Sequence, residues 1–456
     1  MSLLYEWGAN YTGQLGNGET NDFNDINDVP TLLKGNPPLP KGLNINDIQA
    51  VSCGYNHTAL LTKDGYIYAT GDNYRGQLGI TIIEPYFVDK FTLCYGIDNI
   101  QGYIKSISCG FNHTAILTKS GYIYCTGDNN VGQLGIPIII RNVDKFTLCT
   151  NFDNKQGKIK AISCGNQHTA LLTKSGYIYT TGSNNVGQLG IPLSQTFPLL
   201  PNVDHEKDPY YLDKFTKCNG GKDIDKIQGH IKAISCGGYH TALLTKYGYI
   251  YATGQNDAGQ LGIPKNQTNP PPKKPPLYYL DEFTICKGID NIQGYIKSIS
   301  CGGYHTALLT IYGYIYATGQ NDAGQLGIET YSNVDIFTKC KGGKDIKKIQ
   351  GHIKSISCGF NHTLILTKDG QIYATGYNYS GQLGIPITTF PKVNTFTEIV
   401  PNALPKNVNN KFSWISDGCS ANSVFAYKDI IYCNKSDKSD KSDKSIKIWC
   451  NLDFSC

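Results

Sequence analysis

The sequence predicts an all-β protein, a seven-bladed β-propeller with four antiparallel strands per blade, and three observations lead there. A segment written Ser52-Cys-Gly-Tyr-Asn-His-Thr-Ala-Leu-Leu-Thr-Lys-Asp-Gly-Tyr-Ile-Tyr-Ala-Thr-Gly71 occurs in six copies, with its cysteine at 53, 109, 164, 236, 301 and 358. Gly-Gln-Leu-Gly occurs seven times, beginning at 13, 76, 132, 187, 259, 324 and 381. The seventh copy of the repeat is cut in two: Leu4-Tyr5-Glu6-Trp7-Gly8 aligns with Ile67–Gly71, while Phe412–Gly418 and Ser423–Asp429 match the first two strands of a repeat. A single unit of this kind cannot bury its own apolar face and must stack on its neighbours.

Each element of the blade is legible in the copy from Ile104 to Cys149. Ile104-Lys-Ser-Ile-Ser-Cys109 is short and β-branched and reads as the inner strand, broken by Gly110. Thr114–Lys119 is the second strand, and Ser120-Gly121 supplies a two-residue hairpin turn that needs positive φ. Tyr122–Thr126 alternates as the third strand; Gly127 and Gly132-Gln-Leu-Gly135 then turn the chain. The fourth strand is expected near Phe146–Cys149, after a loop whose length varies between copies. Joining the two chain ends builds the seventh blade and removes the open sheet edges of a linear array. Two segments compete for its third strand, Leu3–Tyr5 and Ile430–Cys433. The N-terminal one is expected to win because it brings its own Gly-Gln-Leu-Gly turn. Residues 1–433 are thus expected to form the propeller. Residues 434–456 read as a low-complexity Ser-Asp-Lys tail with a short apolar end.

The 456 residues carry 41 basic and 36 acidic side chains, a balance of +5 that is too mild to mark a nucleic-acid surface. Only two of the basic residues, Arg75 and Arg141, are arginine, the residue best suited to read guanine edges, so sequence-specific nucleic-acid reading is not expected. No run of about 18 apolar residues and no signal-peptide pattern occur, so the expectation is a soluble intracellular chain without a membrane partner, cytoplasm or nucleus left open. The 16 cysteines sort by the repeat: six in Ser-Cys-Gly, five ending Phe-Thr-x-Cys, Cys125 by itself, and Cys419, Cys433, Cys450 and Cys456 near the C-terminus. No C-x-x-C pair exists, so a zinc site is not expected, and the repeated cysteines read as small buried residues. The four C-terminal cysteines have no assigned role.

Gly-x-x-His-Thr-x-x-Leu, a turn glycine, an aromatic strand ending in glycine, and Gly-Gln-Leu-Gly together resemble the regulator of chromosome condensation repeat family over about residues 3–433. The resemblance implies a seven-bladed propeller closed by a split blade. It implies two kinds of activity: guanine-nucleotide exchange on the small GTPase Ran with chromatin binding, as in the founding member, or a protein-binding platform. A shared fold does not transfer a function, so the choice rests on a site.

The repeated histidines, His57, His113, His168, His240, His305 and His362, invite a metal or catalytic reading, but blade symmetry spreads them around the axis. Each is expected to hold its own blade's inner loop by a hydrogen bond to backbone. Asn422 stands where the seventh histidine would be, so that loop is expected to be held differently. Nucleophile-elbow and phosphate-loop motifs are missing, so no catalytic residue, cofactor or metal is expected. In the family's exchange factor an acidic residue just before a repeat histidine serves the GTPase-binding face. The matching positions are Asn56, Asn112, Gln167, Tyr239, Tyr304 and Asn361; none is acidic, which counts against exchange. Tyr239 and Tyr304 become candidate partner-binding residues instead. Three variable segments add individuality: Asn17–Asn46, 191–230 and 263–295. The last contains a Pro-x-x-Pro pattern, Pro272 and Pro275, beside lysines, which suits either a stiff connector or docking in an aromatic groove. The leading expectation is a non-enzymatic protein-interaction platform, with exchange on a Ran-like GTPase as the alternative.

Overall fold

The computed structural model describes residues 2–429 apart from 22–26, 34–39, 41–42, 98–99, 101–102, 151, 153–156, 199–209, 222–223, 269–277, 293, 342–348, 388–390, 402–411 and 417. Ile430–Cys433, Pro272, Pro275 and the Ser-Asp-Lys tail therefore lie outside the described residues. The described strands form seven antiparallel sheets, six of four strands and one of five. The second blade runs, from axis to rim, Ile104–Cys109, His113–Thr118, Ile123–Asp128 and Asn142–Leu148. The outer strand starts earlier than its Phe-Thr-x-Cys motif suggests because its first half pairs with the glycine end of the third strand. The fifth strand of the third blade, Phe197–Pro198, comes from the long insertion and pairs with Tyr210–Lys217.

The seventh sheet is spliced from both chain ends, in the order Asn27–Leu32, Ser2–Gly8, Ser423–Asp429, Trp414–Ile415. Leu4 pairs with Tyr427 and Glu6 with Phe425, so the N-terminal segment fills the third position. Apolar residues on the facing sides of adjacent sheets form one core cluster per junction. Leu3, Tyr5 and Trp7 pack against the sixth blade's Leu364 and Leu366, while Leu4 and Phe425 pack against the first blade's Leu60 and Phe91.

The polar residues of the repeat stitch the blades together. His57 Nε2 lies 2.9 Å from Thr114 Oγ1 of the next blade, and the same bond links His113 to Thr169, His168 to Thr241, His240 to Thr306 and His305 to Thr363. The expected bond to backbone within the histidine's own blade is thus replaced by one to a side chain across the junction. Thr114 Oγ1 donates to Gln77 O at 2.7 Å, so it must accept from His57, which fixes the proton on Nε2. Nδ1 of all six histidines is buried without a hydrogen-bond partner. It faces the glycine of Ser-Cys-Gly: a Cβ on Gly165 would sit 2.1 Å from His168 Cε1. That glycine is required for space, at a φ any residue can adopt.

Gly-Gln-Leu-Gly is the other half of the junction. Its first two carbonyls accept from the two threonines of the following blade, as Gly76 O does from Thr126 and Gln77 O from Thr114. Its last glycine lies flat on the next blade's Phe-Thr-x-Cys ring; a Cβ on Gly79 would be 2.6 Å from Phe146. Five of the six Ser-Cys-Gly cysteines also reach backward. Cys164 N donates to Ser108 Oγ and Cys164 Sγ to Ser108 O, and the arrangement repeats at Cys109, Cys236, Cys301 and Cys358. Burial raises the Cys164 and Cys301 thiols to about 12, Cys358 to about 11 and Cys236 well above its ordinary value, which keeps them neutral donors.

Candidate functional site

One end of the propeller gathers the loops between first and second strands and between third and fourth strands of every blade, because those strand ends are neighbours in the antiparallel sheets. At its centre the first-to-second-strand loops meet. Their backbones hydrogen-bond in series: Asn166 N to Gly238 O, Gly238 N to Gly303 O, Gly303 N to Phe360 O, and Phe360 N to Ala421 O. Gly238 and Gly303 permit this approach, since a Cβ on either would fall within 2.7 Å of the next loop's carbonyl oxygen.

The closing blade also reaches into this centre. Its inner strand stops after Trp414–Ile415, and Cys419 and Ser420 reach the third blade. Cys419 Sγ donates to Cys164 O at 3.3 Å, and Ser420 Oγ donates to Asn166 Oδ1 at 2.7 Å. This is how the loop at Asn422 is held without a histidine. Cys419, unexplained by the repeat, is the thiol of this axial plug. Behind it lies a cavity of about 70 Å³ lined by the repeated serines and cysteines.

Around the plug stand five half-buried aromatic rings. Phe111 stacks on Tyr55 with centroids 4.2 Å apart, Tyr55 meets Phe360 edge-on at 6.3 Å, Phe360 meets Tyr304 at 5.9 Å, and Tyr304 lies 5.5 Å from Tyr239. Tyr239 and Tyr304, singled out by sequence, are therefore together. Burial raises the Tyr304 phenol well above its ordinary value, assisted by Tyr239 and by the charge of Asp257. The other three rings went unrecognised by sequence; their signal is an aromatic directly after the glycine of Ser-Cys-Gly, at Tyr55, Phe111 and Phe360.

A set of acids on the same end was also missed. They sit one or three residues beyond the glycine that ends the third strand, at Asp72, Asp128, Asp257 and Asp322, and not before the histidines. Asp72 accepts from Tyr74 N and Gln77 Nε2, and Asp257 from Gln255 Nε2 and Tyr278 N. Burial pushes the Asp72 and Asp128 carboxyls up, against hydrogen bonds and the Arg75 charge that pull them down. Among the described residues no group of three His, Cys, Asp or Glu side chains is arranged to hold a metal ion. Nor is any described helix long and apolar enough to cross a membrane.

Comparison with known proteins identifies the family and the fold. The RCC1-like domain model matches residues 2–274, and models of the regulator of chromosome condensation (RCC1) repeat match 247–309 and 312–366, and 296–325 and 353–382. The X-linked retinitis pigmentosa GTPase regulator of Canis lupus familiaris is 32% identical over 377 residues, 74% of this chain and 33% of that protein. The ultraviolet-B receptor UVR8 of Arabidopsis thaliana is 27% identical over 403 residues, 86% of this chain and 77% of the receptor. The chain thus matches only about a third of the length of the first of these relatives. Among solved structures, Prp20p of Saccharomyces cerevisiae, described with its binding properties to Gsp1p and histones, superposes with a TM-score of 0.72 at 19% identity, over 95% of this chain and 92% of that one.

Proposed function

The chain belongs to the regulator of chromosome condensation (RCC1) repeat family, and from that premise we propose that it is a non-enzymatic interaction platform that binds a protein partner on its loop-bearing end. The observation that carries this reading is the chain of five half-buried rings from Phe111 to Tyr239, set on a backbone-bonded plug. Aromatic side chains held rigidly at the middle of a surface are the usual anchors of protein interfaces, because they offer area at little entropic cost. Asp257, whose charge acts on Tyr304, favours a partner that presents basic residues around an apolar centre.

Exchange on a Ran-like GTPase is the second reading, favoured by the four aspartates on the same end. The two readings separate experimentally. Affinity capture with the full chain and with a Tyr239→Ser/Tyr304→Ser double variant is expected to lose one set of partners, at unchanged melting temperature. Purified Ran-type GTPase loaded with labelled nucleotide is expected to release it at its intrinsic rate. Accelerated release by catalytic amounts of the chain, or capture indifferent to the double variant, overturns the platform reading on this end.

A further inference from the structure

Cys125 is a cysteine that the repeat does not account for. It stands in the third strand of the second blade, Ile123–Asp128, where four other blades have alanine (Ala69, Ala252, Ala317 and Ala374) and the third blade has Thr180. Cys125 pairs with Thr147 of the outer strand, and Cys149, just past that strand's end, donates its N–H to Ile123 O at 3.0 Å. The two cysteines are therefore diagonal neighbours on adjacent strands. Their side chains share one face, inside the core cluster between the second and third blades. The Cys125 and Cys149 sulfurs are in contact, 3.4 Å apart.

Packing does not call for a second thiol here. Cys149 Sγ donates to Leu134 O at 3.1 Å, as its counterpart Cys218 does to Leu189 O in the third blade. In that blade Thr180 Oγ1 lies 3.4 Å from Cys218 Sγ, so a hydroxyl fills the place of the Cys125 sulfur. In the fourth and fifth blades the methyl groups of Ala252 and Ala317 suffice, with Cys286 and Cys340 equally buried. What cysteine alone adds at this position is a sulfur touching another sulfur. The bond to Cys149 and burial together raise the Cys125 thiol well above its ordinary value, so the closed blade keeps the pair as thiols. The outer strand Asn142–Leu148 is the last of its sheet, so parting it from the third strand uncovers the pair without opening the ring.

We propose that Cys125 and Cys149 form a redox pair, which a small-molecule disulfide oxidises to a bond that staples the outer strand of the second blade to its third strand. The reaction runs while the outer strand is away from the sheet, during folding or on slow parting of that edge. The Cys149 thiolate attacks one sulfur of the oxidant and expels a thiolate. The Cys125 thiolate then attacks Cys149 Sγ of the mixed disulfide and expels the second thiolate. Each attacking thiol gives its proton to solvent, and each departing thiolate takes one up. Two protein thiols thus lose two electrons and two protons, and the oxidant is reduced to two thiols. Closing the bond brings the sulfurs from 3.4 Å to roughly 2.05 Å, a short approach for side chains already in contact.

The test is refolding of the full chain from denaturant in glutathione buffers that run from reduced to oxidised, followed by acid quench, alkylation and peptide mapping. The oxidised product is expected to carry a Cys125–Cys149 cross-link and to titrate two fewer thiols after denaturation than the 16 of the reduced chain. That cross-link should exceed any other cysteine pairing roughly tenfold or more. Its formation should raise the urea midpoint of the parent. Cys125→Ala, which installs the residue of four other blades, should fold, keep all its thiols and show the same midpoint in both buffers. A second arm holds the folded chain with oxidised glutathione in sub-denaturing urea, so the outcome does not depend on efficient refolding. There the cross-link should accumulate faster than without urea. Absence of the cross-link in both arms, cross-links spread evenly over other cysteines, or a Cys125–Cys149 product that unfolds at lower urea than the reduced parent would each overturn the proposal.

Discussion

Histidine at a junction between blades is neutral by construction. Thr114, already donating to Gln77 O, needs a donor from His57, and the other ring nitrogen is buried against a glycine. Burial accordingly lowers His57, His113, His168, His240 and His305 from 6.5 to about 3, and His362 to about 4. The unfolded chain takes up these protons below pH 6.5 while the folded chain refuses them. The histidine contribution is therefore complete above pH 6.5 and is lost as pH falls toward 3, at about 1.4 kcal/mol per histidine per pH unit. Urea midpoints measured from pH 7.5 to 5.5 should fall steeply, with a proton uptake on unfolding that approaches six; a flat profile would show that the imidazoles reach solvent. The facing glycine gives a complementary prediction. Gly165→Ala drives a methyl into His168 and the Gly237 carbonyl, and it should cost roughly 3 kcal/mol or more despite an unstrained φ. Denaturant unfolding of that variant at pH 7.5 measures it.

At the scale of the element, the blade was legible because its signals are local. Ser120-Gly121 fixes a turn, β-branched residues fix the strands, and glycines at 127, 132 and 135 fix the exit. The junction was not legible, because partners across an ordinary junction lie 36 to 73 residues apart and a side chain's target cannot be read from its own repeat. Hence the histidine, one per blade at the start of the second strand, bonds a threonine of the next blade and not the backbone of its own inner loop. The acids of the loop-bearing end are hidden for a related reason: the family pattern points to the position before the histidine, while Asp72 and Asp128 enter from the end of the third strand. The cysteine reading fared better, since a small residue recurring in an inner strand had to be buried. Thirteen described cysteines are buried free thiols, and burial holds Cys164, Cys218 and Cys301 at about 12 and Cys358 at about 11. A thiolate-dependent reagent such as a disulfide dye should therefore leave these thirteen untouched in the native protein and titrate all 16 after denaturation. Rapid native labelling of Cys419, read by mass spectrometry, would mean that the axial plug opens.

On the scale of the whole molecule, the ring is not uniform. Five junctions carry the His–Thr bond, whereas the two flanking the closing blade rely on other means. Asn422 replaces histidine in the closing blade, and at its boundary with the sixth blade Trp7 stands where the other blades have the threonine of the third strand. Trp7 is fully buried, and its Nε1 donates to Gln382 O at 3.2 Å, taking the role that Thr114 has toward Gln77. Its ring also lies against Gly384, where the following blade would ordinarily offer phenylalanine. One side chain thus replaces both contacts of an ordinary junction. Ser357 Oγ donating to Ser416 O and Lys354 Nζ to Ser413 O complete this boundary. Since the closing sheet is joined through strand pairing alone, with no covalent continuity between Ser2–Gly8 and Ser423–Asp429, opening the ring means parting these two segments. The weakest cooperative unit is expected there. Native-state hydrogen exchange should find the amides of residues 2–8 and 423–429 opening at lower free energy than their counterparts in the third and fourth blades. Trp7→Phe, which keeps most of the apolar bulk but strands the Gln382 carbonyl, should lower stability by about 1–3 kcal/mol. It should do so by hastening exchange in the closing sheet first. Uniform loss of protection around the ring would show instead that the seven blades unfold as one unit and that the splice is as strong as a continuous chain.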